Sequence, residues 1–199
     1  MKICFATNNP KKLEEVKAAL GEEFEILSLT DIGCSEELPE TGDTLEHNAF
    51  QKARYVQTHY GVDCFADDTG LEVEALDGAP GVYSGRFAGE PRSDDRNLTL
   101  LLDRMQGKAN RKASFRTVIA LLLGKESHAF EGKVSGEILR QRSGQSGFGY
   151  DPVFRPMGYD RTFAELSLQE KNAISHRGKA VQKLSDFLKK GATGKNKPS

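Results

Sequence analysis

The chain has 199 residues and a mass of 21.9 kDa, with 37% hydrophobic and 29% charged residues. This length and composition suit one domain with a substantial core, and they exclude a collagen-like fibre, a disulfide scaffold and a disordered chain. The formal net charge of −1 gives no indication of a polyanionic partner such as nucleic acid. Residues 1–100 hold 9 basic and 20 acidic side chains, whereas residues 101–199 hold 19 and 9. An acidic half facing a basic half across a cleft would suit a metal and an anionic ligand, although two solvated faces fit the same counts.

The cysteines and the N-terminus bear on where the protein acts. Cys4, Cys34 and Cys64 form no C-x-x-C pair, so neither a disulfide framework nor a structural zinc site is indicated. The apolar run after Met1 is too short for a signal peptide, and no segment has the ~20 apolar residues of a membrane-spanning helix. We therefore expect a cytoplasmic protein with reduced thiols and no membrane partner.

Strands and helices alternate from the N-terminus onwards. Asn9 is a good N-cap residue and Pro10 suits the first helical position, so a helix is predicted from there to Gly21. The motif Asp43-x-x-Glu46 has the form of a capping box and predicts that a second helix begins there. Three apolar runs of this half are predicted as strands: residues 3–6, 24–29 and 64–66.

The second helix is predicted to end at Gly61, and the alternation continues after it. A third helix is predicted over residues 93–105, the longest strand over 113–123, and one or two more strands over 127–138. Residues 140–152 are rich in glycine and polar groups, which is typical of a loop.

The motif Ser167-x-x-Glu170 predicts the start of the last helical segment, which continues to about residue 190. Because elements of both kinds interleave without a break in composition, the fold class is predicted to be α/β with a mixed central sheet. A single domain is expected over residues 1–190, followed by a disordered polar tail over 191–199.

The first candidate site is the strand–turn–helix that begins at Thr7. A helix N-terminus presents unpaired N–H groups and a partial positive charge, which together attract anions. Thr7 and Asn9 add neutral donors, and Lys12 lies where its ammonium can reach a phosphate. The segment is not a P-loop, because G-x-x-x-x-G-K-[ST] occurs nowhere in the chain. A well-capped helix with a solvated lysine fits this segment equally well.

The second candidate is the acidic motif Asp67-Asp68-Thr69-Gly70 at the end of the predicted third strand. Two adjacent carboxylates are costly to crowd unless a cation or hydrogen bonds compensate, and side chains alternate along a strand. One carboxylate is therefore expected to enter a cleft while its neighbour supports a turn. Glu40 adds a second acid, and one or two carboxylates suit Mg²⁺ when phosphate oxygens complete the shell. An ordinary turn with an Asx motif is the alternative interpretation.

Two further segments carry groups that suit a nucleobase. In Ser146-Gly147-Phe148-Gly149-Tyr150-Asp151-Pro152, two aromatic rings beside a carboxylate suit stacking on a base, and a glycine-rich turn with buried aromatics is the alternative. Further on, Lys171 offers a phosphate cation, and His176 and Arg177 offer donors for a carbonyl oxygen. A structural histidine and a solvated lysine fit these positions as well. The chain has no H-E-x-x-H and no G-x-S-x-G motif, which argues against a zinc enzyme and a serine hydrolase.

Six segments in this order resemble the inosine triphosphate pyrophosphatase family, whose members hydrolyse non-standard purine nucleoside triphosphates. They span residues 7–178, nearly the whole chain, and their joint order makes the resemblance specific. The segments are Thr7-Asn8-Asn9-Pro10-Lys11-Lys12, Leu38-Pro39-Glu40-Thr41-Gly42, Ala66-Asp67-Asp68-Thr69-Gly70-Leu71, Gly78-Ala79-Pro80-Gly81-Val82-Tyr83-Ser84, Phe148-Gly149-Tyr150-Asp151-Pro152 and Ser175-His176-Arg177-Gly178.

The resemblance implies a role for each matching residue. Glu40 and Asp68 are implied to hold Mg²⁺, with Asp68 also the general base. Thr69 stands where the family often has serine and keeps the hydroxyl. The residues implied to bind substrate are Thr7, Asn8, Asn9, Pro10, Lys11, Lys12, Lys52, Thr69, Phe148, Gly149, Tyr150, Asp151, Lys171, His176 and Arg177.

The same resemblance implies an elongated mixed sheet between two helical lobes, with the site in the cleft and two chains forming a homodimer. The implied reaction is Mg²⁺-dependent hydrolysis of ITP, dITP and XTP to the monophosphate and pyrophosphate, which cleanses the nucleotide pool. A non-catalytic nucleotide sensor, a pyrophosphatase for pyrimidine or methylated nucleotides, and a nucleic-acid-binding module are weaker alternatives. Glu40 and Asp68 argue against a sensor, because pure binding needs cations more than acids. Residues 148–151 and 176–177 argue against pyrimidine or methylated substrates, and the near-neutral charge argues against a nucleic-acid-binding module.

Overall fold

The computed structural model describes residues 1–194, with side-chain detail for residues 1–190. Seven strands and five α-helices follow one another along this part of the chain. The strands are β1 (Lys2–Phe5), β2 (Glu25–Leu27), β3 (Cys64–Val73), β4 (Pro80–Gly81), β5 (Lys112–Leu123), β6 (Glu126–Ile138) and β7 (Phe154–Pro156). The helices are α1 (Pro10–Leu20), α2 (Leu45–Tyr60), α3 (Asp94–Arg104), α4 (Leu168–Ile174) and α5 (His176–Gly194).

The strands form one mixed sheet in the order β2-β1-β3-β5-β6-β7, with β4 paired to β3. The pairs of β1 with β2 and with β3 are parallel, whereas β3–β5, β5–β6 and β6–β7 are antiparallel. Parallel neighbours require a crossover, which α1 and α2 supply, and antiparallel neighbours need only a short turn. The predicted α/β fold class with a mixed sheet is therefore confirmed.

The start of α1 agrees with the prediction. The Asn9 side chain accepts hydrogen bonds from the backbone N–H groups of Lys11 (3.0 Å) and Lys12 (3.2 Å), and Pro10 occupies the first helical position. Gly21 ends the helix with a φ of 66°. The N-terminus of α1 lies near the middle of β3, since Lys12 in the first helical turn donates to Asp67.

The capping box predicted at Asp43 is wrong. Helix α2 begins at Leu45, and the side chain of Thr44 accepts the backbone N–H of His47 at 3.1 Å. Since the N-cap lies one residue later than predicted, the third helical position holds His47 rather than an acid that could complete the box. The end of the helix at Gly61, with a φ of 65°, agrees with the prediction.

The turn that the sequence suggested at Asp67–Gly70 does not form, because β3 continues through it to Val73. Every residue of β3 pairs with β5, from Cys64 opposite Leu122 to Val73 opposite Ala113. This long antiparallel partner satisfies the backbone groups of the acidic motif, so no turn is needed. Asp67 and Asp68 therefore lie in the middle of a central strand.

Residues 126–138 form one strand, β6, which agrees with the predicted one or two strands over 127–138. The last helical segment differs from the prediction in two places. It is split into α4 and α5 at Ser175, whose ψ of 161° is extended. Helix α5 continues to Gly194, four residues beyond the predicted limit at 190, and the rest of the predicted tail (195–199) lies outside the described residues.

Three apolar clusters hold the fold together. One lies between α2 and the sheet and includes all three cysteines, which are buried and free. A second packs α1 and α5 against the opposite face of β1, β3 and β5. The third surrounds the distal ends of β3, β5 and β6 together with α3 and the segment before α4. Because β3 and β5 run through all three clusters, side chains in the middle of β3 lie where the clusters meet.

No helix among the described residues is both long and apolar enough to cross a membrane.

Candidate active site

A cavity of about 510 Å³ brings together all of the residues predicted to bind substrate or metal. That volume falls in the range of small-molecule sites. The predicted residues that line it are Thr7, Asn8, Asn9, Pro10, Lys11, Lys12, Glu40, Lys52, Asp68, Thr69, Phe148, Gly149, Tyr150, Asp151, Lys171, His176 and Arg177. Side chains far apart in sequence thus share one concave surface.

The N-terminus of α1 contributes two lysines to the cavity. The Nζ of Lys12 donates to Oδ1 of Asp67 at 3.0 Å, and the Nζ of Lys11 donates to the backbone oxygen of Gly147 at 2.9 Å. Lys12 is largely buried, and this burial lowers its pKa although Asp67 opposes the shift. Thr7 accepts the backbone N–H of Asn9 at 3.2 Å, which shapes the turn before the helix.

The side chain of Asn8, which was predicted to bind substrate, is committed to a neighbouring loop. Its Nδ2 donates to the backbone oxygen of Glu36 at 3.0 Å, and its Oδ1 accepts the backbone N–H of Leu38 at 3.1 Å. Both functional groups of the amide therefore hold the segment that leads to Glu40.

The adjacent acids Asp67 and Asp68 point to opposite faces of β3, as the alternation along a strand requires. Asp67 is 1% exposed and accepts Lys12, Thr69 (3.3 Å) and the Nε of Arg177 (3.1 Å). Burial alone would raise the pKa of Asp67, but the charges of Lys12 and Arg177 outweigh it and hold the pKa well below its usual range. Asp67 thus anchors two cations, which in turn favour its ionised form.

Asp68 lies on the α2 side, where its environment has the opposite effect. Its Oδ2 accepts the Nδ2 of Asn48 at 3.0 Å, and its Oδ1 accepts the backbone N–H of Thr69 at 2.9 Å. Burial raises the pKa of Asp68, and the negative charge of Glu40 adds to this, so that Lys52 and Lys12 offset the shift only in part. A carboxylate with a raised pKa that faces a cavity suits a general base.

Glu40 reaches the same place from the loop before α2. One of its oxygens accepts the Nζ of Lys52, which also donates to the backbone oxygen of Asp67 at 2.7 Å. Its other oxygen lies 3.2 Å from Nη2 of Arg92 and 3.9 Å from Nη1 of Arg86. Burial raises the pKa of Glu40, but the charge of Lys52 outweighs it and lowers the pKa overall.

The donor set fits Mg²⁺ bound together with a phosphate ligand. Glu40 and Asp68 interact electrostatically and both face the cavity, and carboxylate oxygens are the ligands that Mg²⁺ prefers. Nowhere in the described chain do three or more His, Cys, Asp or Glu side chains converge on one metal position. Mg²⁺ is commonly held by one or two carboxylates, with waters and phosphate oxygens completing its shell.

Cations and an aromatic ring form the other part of the cavity. The Nζ of Lys171 donates to Oδ2 of Asp151 at 2.6 Å and lies 4.9 Å from the centroid of the Phe148 ring. The guanidinium of Arg177 lies 5.5 Å from the same ring. Asp151 also accepts the backbone N–H of Phe148 at 2.9 Å, which fixes the loop that carries the ring.

Gly149 and Tyr150, which follow Phe148, make hydrogen bonds that hold their loop in place. Tyr150 is buried in the third cluster, and its hydroxyl donates to the backbone oxygen of Ser84 at 2.8 Å. The backbone N–H of Gly149 donates to Asp94 at 2.8 Å. Both residues line the cavity, yet these contacts hold the loop against α3 and the 84–86 segment.

His176 lines the cavity as a neutral imidazole. Its ring stacks on Phe115 with centroids 4.5 Å apart, and its buried Nδ1 has no hydrogen-bond partner within the described part of the chain. Burial lowers the pKa of His176 well below its ordinary value, and the neighbouring charges of Arg177 and Lys171 lower it further. An unpaired buried polar atom in a cavity is a natural position for a ligand group.

The match to known proteins covers nearly the whole chain. A family model described as the Ham1 family matches residues 3–187, a range that contains every predicted site residue. The chain belongs to the Ham1 family. The resemblance noted in the sequence is thereby confirmed.

Among curated Ham1 family relatives, a protein of Flavobacterium psychrophilum named dITP/XTP pyrophosphatase is 53% identical over 95% of this chain and 100% of its own. A Porphyromonas gingivalis protein of the same name is 54% identical over 94% of this chain and 97% of its own. Among solved structures, the Ham1 protein of Staphylococcus aureus matches with a TM-score of 0.86 and 38% identity, over 96% of this chain and all of that chain. The fold is therefore that of Ham1 family structures.

Sequence reasoning missed three kinds of residue in this Ham1 family site. Glu15 on α1 is buried and accepts both Lys171 (2.6 Å) and Arg177. Asn48 on α2 holds Asp68, while Arg86 and Arg92 approach Glu40. Glu15 lies beside the apolar stripe of α1, and Asn48 lies within that of α2. Neither position carries a local sequence signal of a site, since only the tertiary contacts reveal the partners of these residues.

Proposed function

We propose that this protein hydrolyses non-canonical purine nucleoside triphosphates to the nucleoside monophosphate and pyrophosphate. The curated relatives named dITP/XTP pyrophosphatase support this class of substrate. The observation that carries the proposal is the way Asp67 joins two parts of one cavity. Through Lys12 it connects to the acids and lysines that suit phosphates, and through Arg177 to the Phe148 and His176 region that suits a base.

Mg²⁺ is the proposed cofactor, and Glu40 and Asp68 would hold it. When bound, the metal supplies positive charge that neutralises the phosphates and the leaving group. Burial raises the pKa of Glu40, but its ion pairs with Lys52 and Arg92 lower it overall, and the side chain lines the cavity, which supports this assignment.

In the proposed reaction, water attacks the α-phosphorus and the bond from this phosphorus to the bridging α–β oxygen breaks. Asp68 accepts a proton from the attacking water, and burial, which raises the pKa of Asp68, makes this carboxylate a stronger base. Pyrophosphate leaves with the bridging oxygen. Lys12 and Lys52, together with the α1 N-terminus, stabilise the charge that develops on the phosphates. General-base assistance of this kind contributes typically about 10²–10⁴-fold.

Base selection is assigned to the other part of the cavity. The ring of Phe148 offers a stacking surface, and Arg177 and neutral His176 offer hydrogen bonds to a 6-oxo purine. Adenine carries an amino donor at that position, so donors of the protein would face a donor of the base. A site built on specific hydrogen bonds rejects such a mismatch strongly.

The biological role that follows is removal of ITP, dITP and XTP from the nucleotide pool in the cytoplasm. We propose a homodimer on the ground of the family resemblance. Analytical ultracentrifugation tests this part, since a sedimentation coefficient of a monomer across micromolar concentrations would contradict it.

Product analysis tests the function. Purified protein with Mg²⁺ is incubated with ITP, XTP, GTP and ATP, and pyrophosphate and orthophosphate are assayed separately. We expect pyrophosphate and a monophosphate from ITP and XTP, with much slower turnover of ATP. Orthophosphate as the main product, or equal turnover of all four nucleotides, would contradict the proposal, and tight binding without turnover would indicate a nucleotide sensor.

A further inference from the structure

Glu40 lies on a segment that lacks the usual backbone support. In the described part of the chain, residues 35–43 make no hydrogen bond between two backbone groups. Side chains supply the bonds instead. Gln51 accepts the backbone N–H of Thr41 at 2.9 Å and donates to its hydroxyl at 2.8 Å, while Asn8 binds the backbone of Glu36 and Leu38. The segment that carries Glu40 is therefore held in part by amide side chains of neighbouring elements.

Asn48 differs from these other amides because it is fully enclosed and bonds in two directions. Its side chain is 1% exposed. Its Oδ1 accepts the backbone N–H of Gly42 at 2.7 Å, and its Nδ2 donates to Oδ2 of Asp68 at 3.0 Å. The two contacts also fix the orientation of the amide, because a backbone N–H can only donate and a carboxylate can only accept.

The chain fits closely around this amide. A Cβ added to Gly42 would lie 2.9 Å from Oδ1 of Asn48 and 2.6 Å from Cγ of His47. Only glycine therefore permits this approach of the loop to α2. The loop that carries Glu40 and the strand that carries Asp68 are thus joined through one buried side chain.

The bond from Asn48 also completes the fixation of Asp68. The backbone N–H of Thr69 binds one carboxylate oxygen and Asn48 binds the other, so rotation of the carboxyl group about its last torsion is restrained. Each oxygen keeps a lone pair for another partner. Supporting hydrogen bonds of this kind commonly determine how a carboxylate presents those lone pairs to a metal or a water.

We propose that Asn48 is a positioning residue that sets the carboxylate of Asp68 and the Glu40 loop relative to each other. The proposal rests on the proposed function, because it assigns the two acids a joint task. It predicts that the donated hydrogen bond to Asp68 matters for turnover separately from the bond to the loop.

The isosteric variant Asn48→Asp separates the two bonds. The new carboxylate still accepts the backbone N–H of Gly42, but it cannot donate to Asp68. Two carboxylate oxygens, both acceptors, then face each other. We expect kcat to fall about 10–100-fold, the usual range for a lost supporting partner, while KM for ITP changes less than about threefold. Hydrogen exchange at the Gly42 amide should stay as slow as in the parent protein.

A second variant and a control complete the design. Asn48→Ala removes both bonds, so Gly42 exchange should accelerate and kcat should fall at least as far. Gln57→Glu is the matched control, because Gln57 lies on the same helix and its amide donates at 3.0 Å to the backbone oxygen of Gly124, outside the cavity. Melting temperatures of all three variants show whether each one folds. If the aspartate variant does not fold, normal kcat in Asn48→Ala would still overturn the proposal.

Each outcome has one meaning. Loss of kcat in both Asn48 variants, with Gln57→Glu unchanged, supports the proposal. Normal kcat in Asn48→Asp with a loss in Asn48→Ala would show that Asn48 acts through the loop alone and would overturn the proposal, as would normal kcat in both. A parent protein that turns over no purine triphosphate contradicts the proposed function instead, since Gly42 exchange still reports on the bond to the loop.

Discussion

Two neighbouring aspartates acquire different chemistry because a strand sends consecutive side chains to opposite faces. Asp67 lies among cations, which more than offset its burial and lower its pKa, whereas burial raises the pKa of Asp68. One acid is thus suited to hold positive charge in place and the other to accept a proton. The difference comes from surroundings alone, since the two side chains are chemically identical.

The variant Asp68→Asn tests this assignment. An amide of the same shape cannot accept a proton from water, so we expect kcat for ITP to fall at least about 100-fold while the nucleotide still binds. Steady-state kinetics and calorimetric titration with ITP measure the two effects. Asp63→Asn is the control, because Asp63 precedes β3 and lies outside the cavity. Its side chain accepts the backbone N–H of Gly124 at 2.7 Å. Normal turnover in Asp68→Asn would rule out Asp68 as the base.

At the scale of elements, Glu15 joins α1 to α4 and α5, two consecutive helices near the other end of the chain. From α1 it accepts Lys171 of α4 at 2.6 Å and Arg177 of α5, and each cation has a second acidic partner, Asp151 or Asp67. Such a buried network is costly to desolvate and is stable only when every charge is paired. It therefore fixes the two cations that line the cavity rather than adding much net stability.

The variant Glu15→Gln should therefore be strongly destabilising. It leaves two buried cations short of an anion, and breaking a buried pair in this way costs about 3–5 kcal/mol. Urea denaturation measures the loss, and KM for ITP should rise because Lys171 and Arg177 lose their positions. Glu14→Gln on the exposed side of α1 is the matched control. A free energy of unfolding equal to that of the control would contradict the role given to Glu15.

At the scale of the whole molecule, buried ionisable groups should make stability depend on pH. Burial lowers the folded-state pKa of His176 well below 6.5, so the unfolded chain binds this proton first as the pH falls. The contribution of His176 to the free energy of unfolding is fully present above the pKa that this residue has in the unfolded chain, and it declines as the pH falls below that value. Asp67 and Glu15, with lowered pKa values, add a further loss at more acid pH, whereas the raised pKa values of Asp68 and Asp151 act in the opposite direction.

The His176 contribution can be isolated by comparing pH 7 with pH 5. The parent protein should lose at most about 2 kcal/mol from this residue, that is about 1.4 kcal/mol for each pH unit below 6.5. His176→Gln should lose less stability than the parent over the same interval, while the exposed control His59→Gln should lose as much as the parent. Urea midpoints at both pH values provide the measurement. Equal losses in all three proteins would show that His176 is protonated as readily when folded as when unfolded.

The sequence by itself determined the elements whose signals are local. The cap at Asn9 and Pro10, the helix end at Gly61 and the alternation of strands and helices all act within a few residues, so α1, most of α2 and the α/β class were predictable. The ordered motifs also identified the family, because their combination over residues 7–178 is specific.

Tertiary structure decided what depends on distant partners. The acidic motif reads locally as a turn, yet pairing with β5 keeps it in a central strand. Burial and neighbouring charge, which only the folded chain defines, separate Asp67 from Asp68. Hydrogen bonds to backbone groups of a distant loop hold the Asn8 side chain. Asn48 and Glu15 carry no local signal, because their importance lies in contacts made across the fold. Local propensity thus determined the elements, and long-range packing determined which side chains meet and in which state of charge.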